Sequence, residues 1–116
     1  MRLVALCLPS PRPAELAAFY QRAFDLPAPK AFGDEGHVGM QLGNLYFGFD
    51  REESADRGPA TVWFQVDDAR AMHTRLLELG ATTVRAPWEE PGLDEVLVTM
   101  RDPDGNMLGV AQKLSP

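Results

Sequence analysis

The sequence predicts an α+β fold built from two tandem β-α-β-β-β modules. Two observations carry this. The segment Gly43-Asn44-Leu45-Tyr46-Phe47-Gly48-Phe49 is echoed half a chain later by Gly105-Asn106-Met107-Leu108-Gly109-Val110-Ala111. Each copy also follows an apolar strand, a helical stripe and a further strand region, in the same order. A duplicated unit implies two similar half-sheets, and such halves tend to enclose a space between them. At 116 residues the chain is long enough for one domain with a real core but not for two domains.

The elements follow in order. Residues 3–8, Leu-Val-Ala-Leu-Cys-Leu, form an apolar run suited to a buried strand. Pro9, Pro11 and Pro13 interrupt it, so the start reads as a strand and not as a secretory leader. Leu16, Phe19, Tyr20, Ala23 and Phe24 recur at helical spacing, and Leu26-Pro27 ends that helix. Residues 28–32 are expected as a short strand and 33–36 as a loop. Residues 37–42 and 45–50 then form a hairpin around Gly43-Asn44. Module one spans 1–52, and the charged, Gly- and Pro-containing stretch 53–59 links it to module two, 60–116.

The second half repeats the pattern. Residues 61–66 are a strand, Asp67 or Asp68 caps the next helix, and Met72, Leu76 and Leu79 form its apolar stripe. Gly80 stops it. A short strand over 82–85 and a loop over 86–94 precede the last hairpin, 95–101 with 107–112. Its turn, Asp102-Pro103-Asp104-Gly105, has type I chemistry.

Composition narrows the function classes. A net charge of −6 with scattered Lys and Arg argues against nucleic acid, whose phosphates are met by clustered basic residues. No apolar run is long enough to span a bilayer. The single cysteine, Cys7, excludes an internal disulfide and fits a reducing cytoplasm.

Phe19-Tyr20, Phe64-Gln65-Val66-Asp67-Asp68 and Asp102-Pro103-Asp104-Gly105-Asn106, in that order within the duplicated unit, resemble the vicinal oxygen chelate superfamily. This group includes glyoxalase I, extradiol dioxygenases, fosfomycin-resistance enzymes and bleomycin-resistance proteins. The resemblance covers nearly the whole chain. It implies a mixed sheet forming a cup and, in most small members, a homodimer. It further implies metal ligands at the start of the first strand and within the last strand of each module. Here those positions fall at Leu3, Phe47, Thr61 and Gly109. None is a strong ligand, whereas a divalent ion needs roughly three N, O or S donors. No metal or cofactor is therefore expected.

Alternation along the strands places Phe47, Phe49, Trp63 and Gln65 on the cup face with the former ligand positions. Trp63, Phe47 and Phe49 are candidates to stack on a planar ligand or, alternatively, to fill a collapsed cup. Trp88, in a loop among prolines and carboxylates, borders either the ligand groove or the dimer interface. His37 opens a strand and is a candidate polar orienter or general base, or else an ordinary surface histidine. Gln65 and Arg101 offer hydrogen bonds, and Met40 and Met100 an adaptable apolar wall. Cys7 reads as buried packing.

The resulting expectation is a metal-independent, homodimeric, cytoplasmic protein that binds a planar or amphipathic small molecule, an antibiotic among the options, without catalysis. The alternative is a glyoxalase-, lyase- or dioxygenase-like metal enzyme with a displaced site.

Overall fold

A computed structural model describes residues 2–31, 36–53 and 60–115. The chain divides into two compact units, Met1–Arg57 and Gly58–Pro116. The expected strand over 28–32, the 33–36 loop and the 53–59 linker lie partly or largely outside the described residues.

In the first unit, β1 (Ala5–Ser10) leads to α1 (Pro13–Phe24), β2 (Lys30–Ala31), β3 (His37–Leu42) and β4 (Leu45–Arg51). The sheet order is β1-β4-β3-β2, with β1 parallel to β4 and the rest antiparallel. Pro13 sits in the first turn of α1, where its missing N–H costs nothing. Asp25, in the left-handed conformation at φ 54°, closes the helix, and Leu26 N–H donates to the Gln21 carbonyl (3.1 Å). The apolar stripe of α1 packs Leu16, Phe19, Tyr20 and Ala23 onto one face of the sheet. Tyr20 is the hub: its ring lies 5.2 Å from Phe47, 5.7 Å from Phe49 and 5.0 Å from Phe19.

The second unit repeats the plan with β5 (Thr61–Gln65), α2 (Ala69–Glu78), β6 (Thr82–Glu89), β7 (Glu95–Arg101) and β8 (Met107–Lys113), in sheet order β5-β8-β7-β6. The Asp68 side chain caps α2 by accepting from Ala71 N–H (3.0 Å). Gly80 stops the helix at φ 105°. Leu76, Val96, Val98, Met100, Leu108 and Val110 form the core.

Three expectations need correction. The first strand begins at Ala5, leaving Leu3 outside it and 73% exposed. β6 runs through Pro87 and Trp88 to Glu89, where a loop was expected, because Trp88 and Glu89 find ladder partners in Leu97 and Val96. Register shifts on either side of Arg85 absorb the irregularity, and Pro87 is tolerated because β6 is a sheet edge.

The third correction concerns β4. Its parallel register sets Leu6 opposite Phe47 and Leu8 opposite Phe49, with Cys7 opposite Gly48. Phe47 and Phe49 therefore face α1, 1% and 0% exposed, and the face away from the helix carries Tyr46, Gly48 and Asp50. The two hairpins differ in turn length. Leu42 pairs directly with Leu45 across Gly43-Asn44, whereas Arg101 pairs with Met107 across the whole segment 102–106. Equal spacing from the turn asparagines thus lands on opposite faces.

Candidate functional site

On the first sheet, the face away from α1 is ordered in rows by the strand register. One row is Pro9, Asp50 and His37, the next Cys7, Gly48, Gly39 and Lys30, and the next Ala5, Tyr46 and Gln41. The outer rows meet over the glycines of the middle one. His37 Nδ1 lies 2.5 Å from Asp50 Oδ1, and His37 Nε2 lies 2.7 Å from Tyr46 Oη. A carboxylate only accepts, so Nδ1 donates to Asp50, and in the neutral imidazole Nε2 then accepts from the Tyr46 hydroxyl. The two rings run nearly parallel, 22° apart.

This array needs glycine beneath it. A Cβ at Gly48 would lie 2.8 Å from the Tyr46 ring, 2.9 Å from the His37 ring and 3.0 Å from Cys7 Sγ. A Cβ at Gly39 would collide with the Tyr46 hydroxyl and come within 2.7 Å of the Phe47 carbonyl. Beside the array a groove of about 260 Å3 is lined by Pro27, Ala28, Lys30, Gly39, Met40, Gln41 and Tyr46.

The electrostatics favour the protonated forms of two groups on this face, the Tyr46 hydroxyl and the Cys7 thiol. Burial raises the Tyr46 hydroxyl above its ordinary value, and Cys7 and Asp50 add to the effect. Cys7 is exposed, not buried as expected. Its thiol is also raised, by desolvation first and then by the Asp50 charge and hydrogen bond, against a lowering contact from the Gly48 backbone. Alkylation of Cys7 by iodoacetamide, followed against pH, is therefore expected to show a midpoint above that of an unperturbed thiol. Asp50→Asn should lower that midpoint by removing one raising cause. A wild-type midpoint at or below that of an unperturbed thiol measured alongside would contradict this geometry.

On the second sheet, the face away from α2 carries Thr61, Trp63 and Gln65 on β5, paired with Met107, Gly109 and Ala111 on β8. Trp63 is 48% exposed and its ring lies flat over Gly109, where a Cβ would come within 2.5 Å of it. Trp88 shares this face through its partner Leu97. Its indole N–H donates to Glu90 (2.8 Å), and the Arg85 guanidinium sits 3.9 Å from the ring centroid. Arg101 donates to the Gly105 carbonyl (2.8 Å).

The residues singled out from sequence thus separate into groups. Trp63, Gln65, Trp88 and Arg101 share one face of the second sheet. His37 belongs to the first sheet with Tyr46 and Asp50, which sequence reasoning missed. Phe47, Phe49, Met40 and Met100 lie in the helix-packed cores, at most 3% exposed; of these only Met40 reaches the wall of the groove beside Tyr46. The signal for Tyr46 and Asp50 was available. Once Leu6 and Leu8 are taken as the helix-side partners of the buried Phe47 and Phe49, alternation delivers Tyr46, Gly48 and Asp50 to the other face.

Register also corrects the ligand alignment. Trp63 opposite Gly109 matches Cys7 opposite Gly48, so Thr61 corresponds to Ala5 and Gly109 to Gly48. Alanine and two glycines supply no side-chain donor and Thr61 only a hydroxyl, so the donor set does not fit a divalent metal. Among the described residues, no group of three or more His, Cys, Asp or Glu is placed to hold an ion.

Two four-stranded mixed sheets, each with one helix on one face and a polar or aromatic surface on the other, define a duplicated βαβββ protein. The family described as glyoxalase-like domain matches residues 5–111, and the chain belongs to that family, within the vicinal oxygen chelate superfamily. A glyoxalase/bleomycin resistance protein/dioxygenase family enzyme from Burkholderia phytofirmans PsJN is similar at TM-score 0.84 and 17% identity, covering 97% of this chain and 98% of the other. A glyoxalase-related enzyme from Fulvimarina pelagi is similar at TM-score 0.78 and 16% identity, over 97% and 88% of the two chains. A bleomycin resistance determinant encoded on the transposon Tn5 matches at TM-score 0.65 and 24% identity, over 97% and 98%. At these identities the likeness is one of fold. No curated protein matches. Among the described residues, no helix is long and apolar enough to cross a membrane.

Proposed function

We propose that this chain is a metal-independent, cytoplasmic small-molecule binding protein that acts as a homodimer and takes a planar or amphipathic ligand. The observation that carries the reading is the donor set: Ala5, Gly48, Thr61 and Gly109 stand where the family's metal enzymes place ligands. What the same faces do carry is binding chemistry. Trp63 is half exposed over a glycine, Trp88 is backed by Arg85, and Gln65 and Arg101 add polar points. A few polar groups on an aromatic surface orient a ligand without breaking bonds. The likeness to a bleomycin resistance determinant supports an antibiotic as the ligand class to try first. Exposed apolar Leu3 and Val4 are consistent with burial against a second copy.

The test is a thermal-shift panel of planar and amphipathic compounds, bleomycin included, run with and without EDTA. A true ligand at about a hundredfold its Kd contributes about 2.7 kcal/mol, an upward shift of about 10 °C in Tm. The shift is expected to be the same in EDTA. Trp63→Ala should remove about 1–3 kcal/mol of it. Stabilisation that vanishes in EDTA and returns with a divalent ion would contradict the proposal.

A further inference from the structure

The geometry points to the Asp50–His37–Tyr46 array as a proton-accepting site for a neutral weak oxygen acid seated in the groove beside Tyr46. This rests on the small-molecule reading and extends it by naming the chemistry of one ligand group. Three features on the first sheet converge. The donor–acceptor chain is complete and short, from Asp50 through both ring nitrogens of His37 to the Tyr46 hydroxyl. Its last member lines a groove of about 260 Å3, so the chain ends at a place a ligand can reach. Two glycines, at positions where any side chain would strike the rings, make room for it.

The step balances without a co-reactant. The ligand O–H bond breaks as its proton passes to Tyr46 Oη, and the Tyr46 O–H bond breaks as that proton passes to His37 Nε2. Both electron pairs stay on oxygen. The products are a ligand oxyanion, a neutral Tyr46 that donates to it, and a His37 imidazolium. Asp50 accepts from Nδ1–H throughout and pairs with the imidazolium, which makes it a positioning residue. Lys30 lines the same groove and supplies positive charge for the new oxyanion. Among the described residues, the titratable and charged groups sharing this face are Cys7 on β1, Tyr46 and Asp50 on β4, His37 itself on β3 and Lys30 on β2. The raised Tyr46 hydroxyl suits a conduit that holds its own proton until one arrives.

The probe is 4-nitrophenol, whose anion alone absorbs in the visible, titrated against the whole chain at a pH below the phenol's own ionisation. The expected result is a saturable rise of the phenolate band. The His37 ring resonances should move to imidazolium positions, and groove resonances at Lys30 and Gln41 should shift. His37→Gln, Asp50→Asn and Tyr46→Phe should each reduce the phenolate band on the order of tenfold. Their melting curves would show that the fold is kept, and the wild-type His37 resonances report the proton without any variant. Groove resonances that shift while the phenol stays neutral would overturn the proposal and leave the small-molecule reading intact. A phenolate band undiminished in His37→Gln would do the same, assigning the effect to Lys30 alone. A groove that does not respond at all would also overturn it, because the small-molecule reading is tested separately by the panel above.

Discussion

Phe47→Ala is expected to cost the first unit about 3–5 kcal/mol of stability, the range for emptying an aromatic site in a packed core. The side chain is 1% exposed, with its ring centroid 5.2 Å from Tyr20 and 4.7 Å from Phe49. On the neighbouring strands it meets Leu6 and Met40 across the ladder. Removing the ring strips Tyr20 of one of its main partners, and the surrounding rings relax only partly. A domain of this size holds about 5–15 kcal/mol in total, so the variant should lie near the edge of folding. Phe47→Leu keeps most of the volume and should cost about 1–2 kcal/mol. Denaturant unfolding measures both as a drop in midpoint at constant slope. The same measurement decides which face Phe47 occupies. A loss below about 1 kcal/mol, with ligand binding weakened instead, would place it on the binding face.

Asp102→Ala is expected to cost the second unit about 3 kcal/mol, through a different mechanism. Asp102 is 3% exposed and its carboxylate organises the β7–β8 turn. Oδ1 accepts from the backbone N–H of Asp104 (2.9 Å) and of Asn106 (3.0 Å), and Oδ2 accepts from the Asn106 side-chain amide (3.0 Å). Asn106 is itself buried, so alanine at 102 strands buried donors that water does not reach. Asp102→Asn keeps one acceptor but turns an amide toward the Asn106 amide, and should lie between wild type and alanine. Urea unfolding of both variants gives the order. An Asp102→Ala protein as stable as wild type would show that the turn holds its shape without the carboxylate.

In the second module β5, α2, β7 and β8 were legible almost residue by residue. Trp63-Phe64 alternate against a helix whose stripe is clear, and the turn Asp102–Asn106 names its own chemistry. Trp63, Gln65, Gly109 and Ala111 accordingly lie on the face expected of them. The first module misled at β4 for a specific reason. Gly43-Asn44 resembles Gly105-Asn106 in composition, but the first hairpin turns in two residues and the second takes the longer path through Pro103. The repeat looks aligned by letters while it is one residue out by face. That slip hid Tyr46 and Asp50, and it made Gly39 and Gly48 look like ordinary strand glycines. Trp88 was misplaced because prolines and carboxylates around it mimic a loop, whereas pairing with Leu97 makes it part of an irregular edge strand. Long-range register decides such cases, and local composition carries little of it.

Metal independence is tested most directly by dialysing the purified protein against EDTA, confirming by elemental analysis that Zn, Ni, Mn and Fe are gone, and repeating the ligand-induced melting shift on that sample. With Ala5, Gly48, Thr61 and Gly109 at the family's ligand positions, the shift should match that of untreated protein. No stoichiometric ion should be retained after the metals are offered back. A shift that disappears with the metal and returns with one equivalent of a divalent ion would contradict the binding reading and move the chain to the metal enzymes of its family.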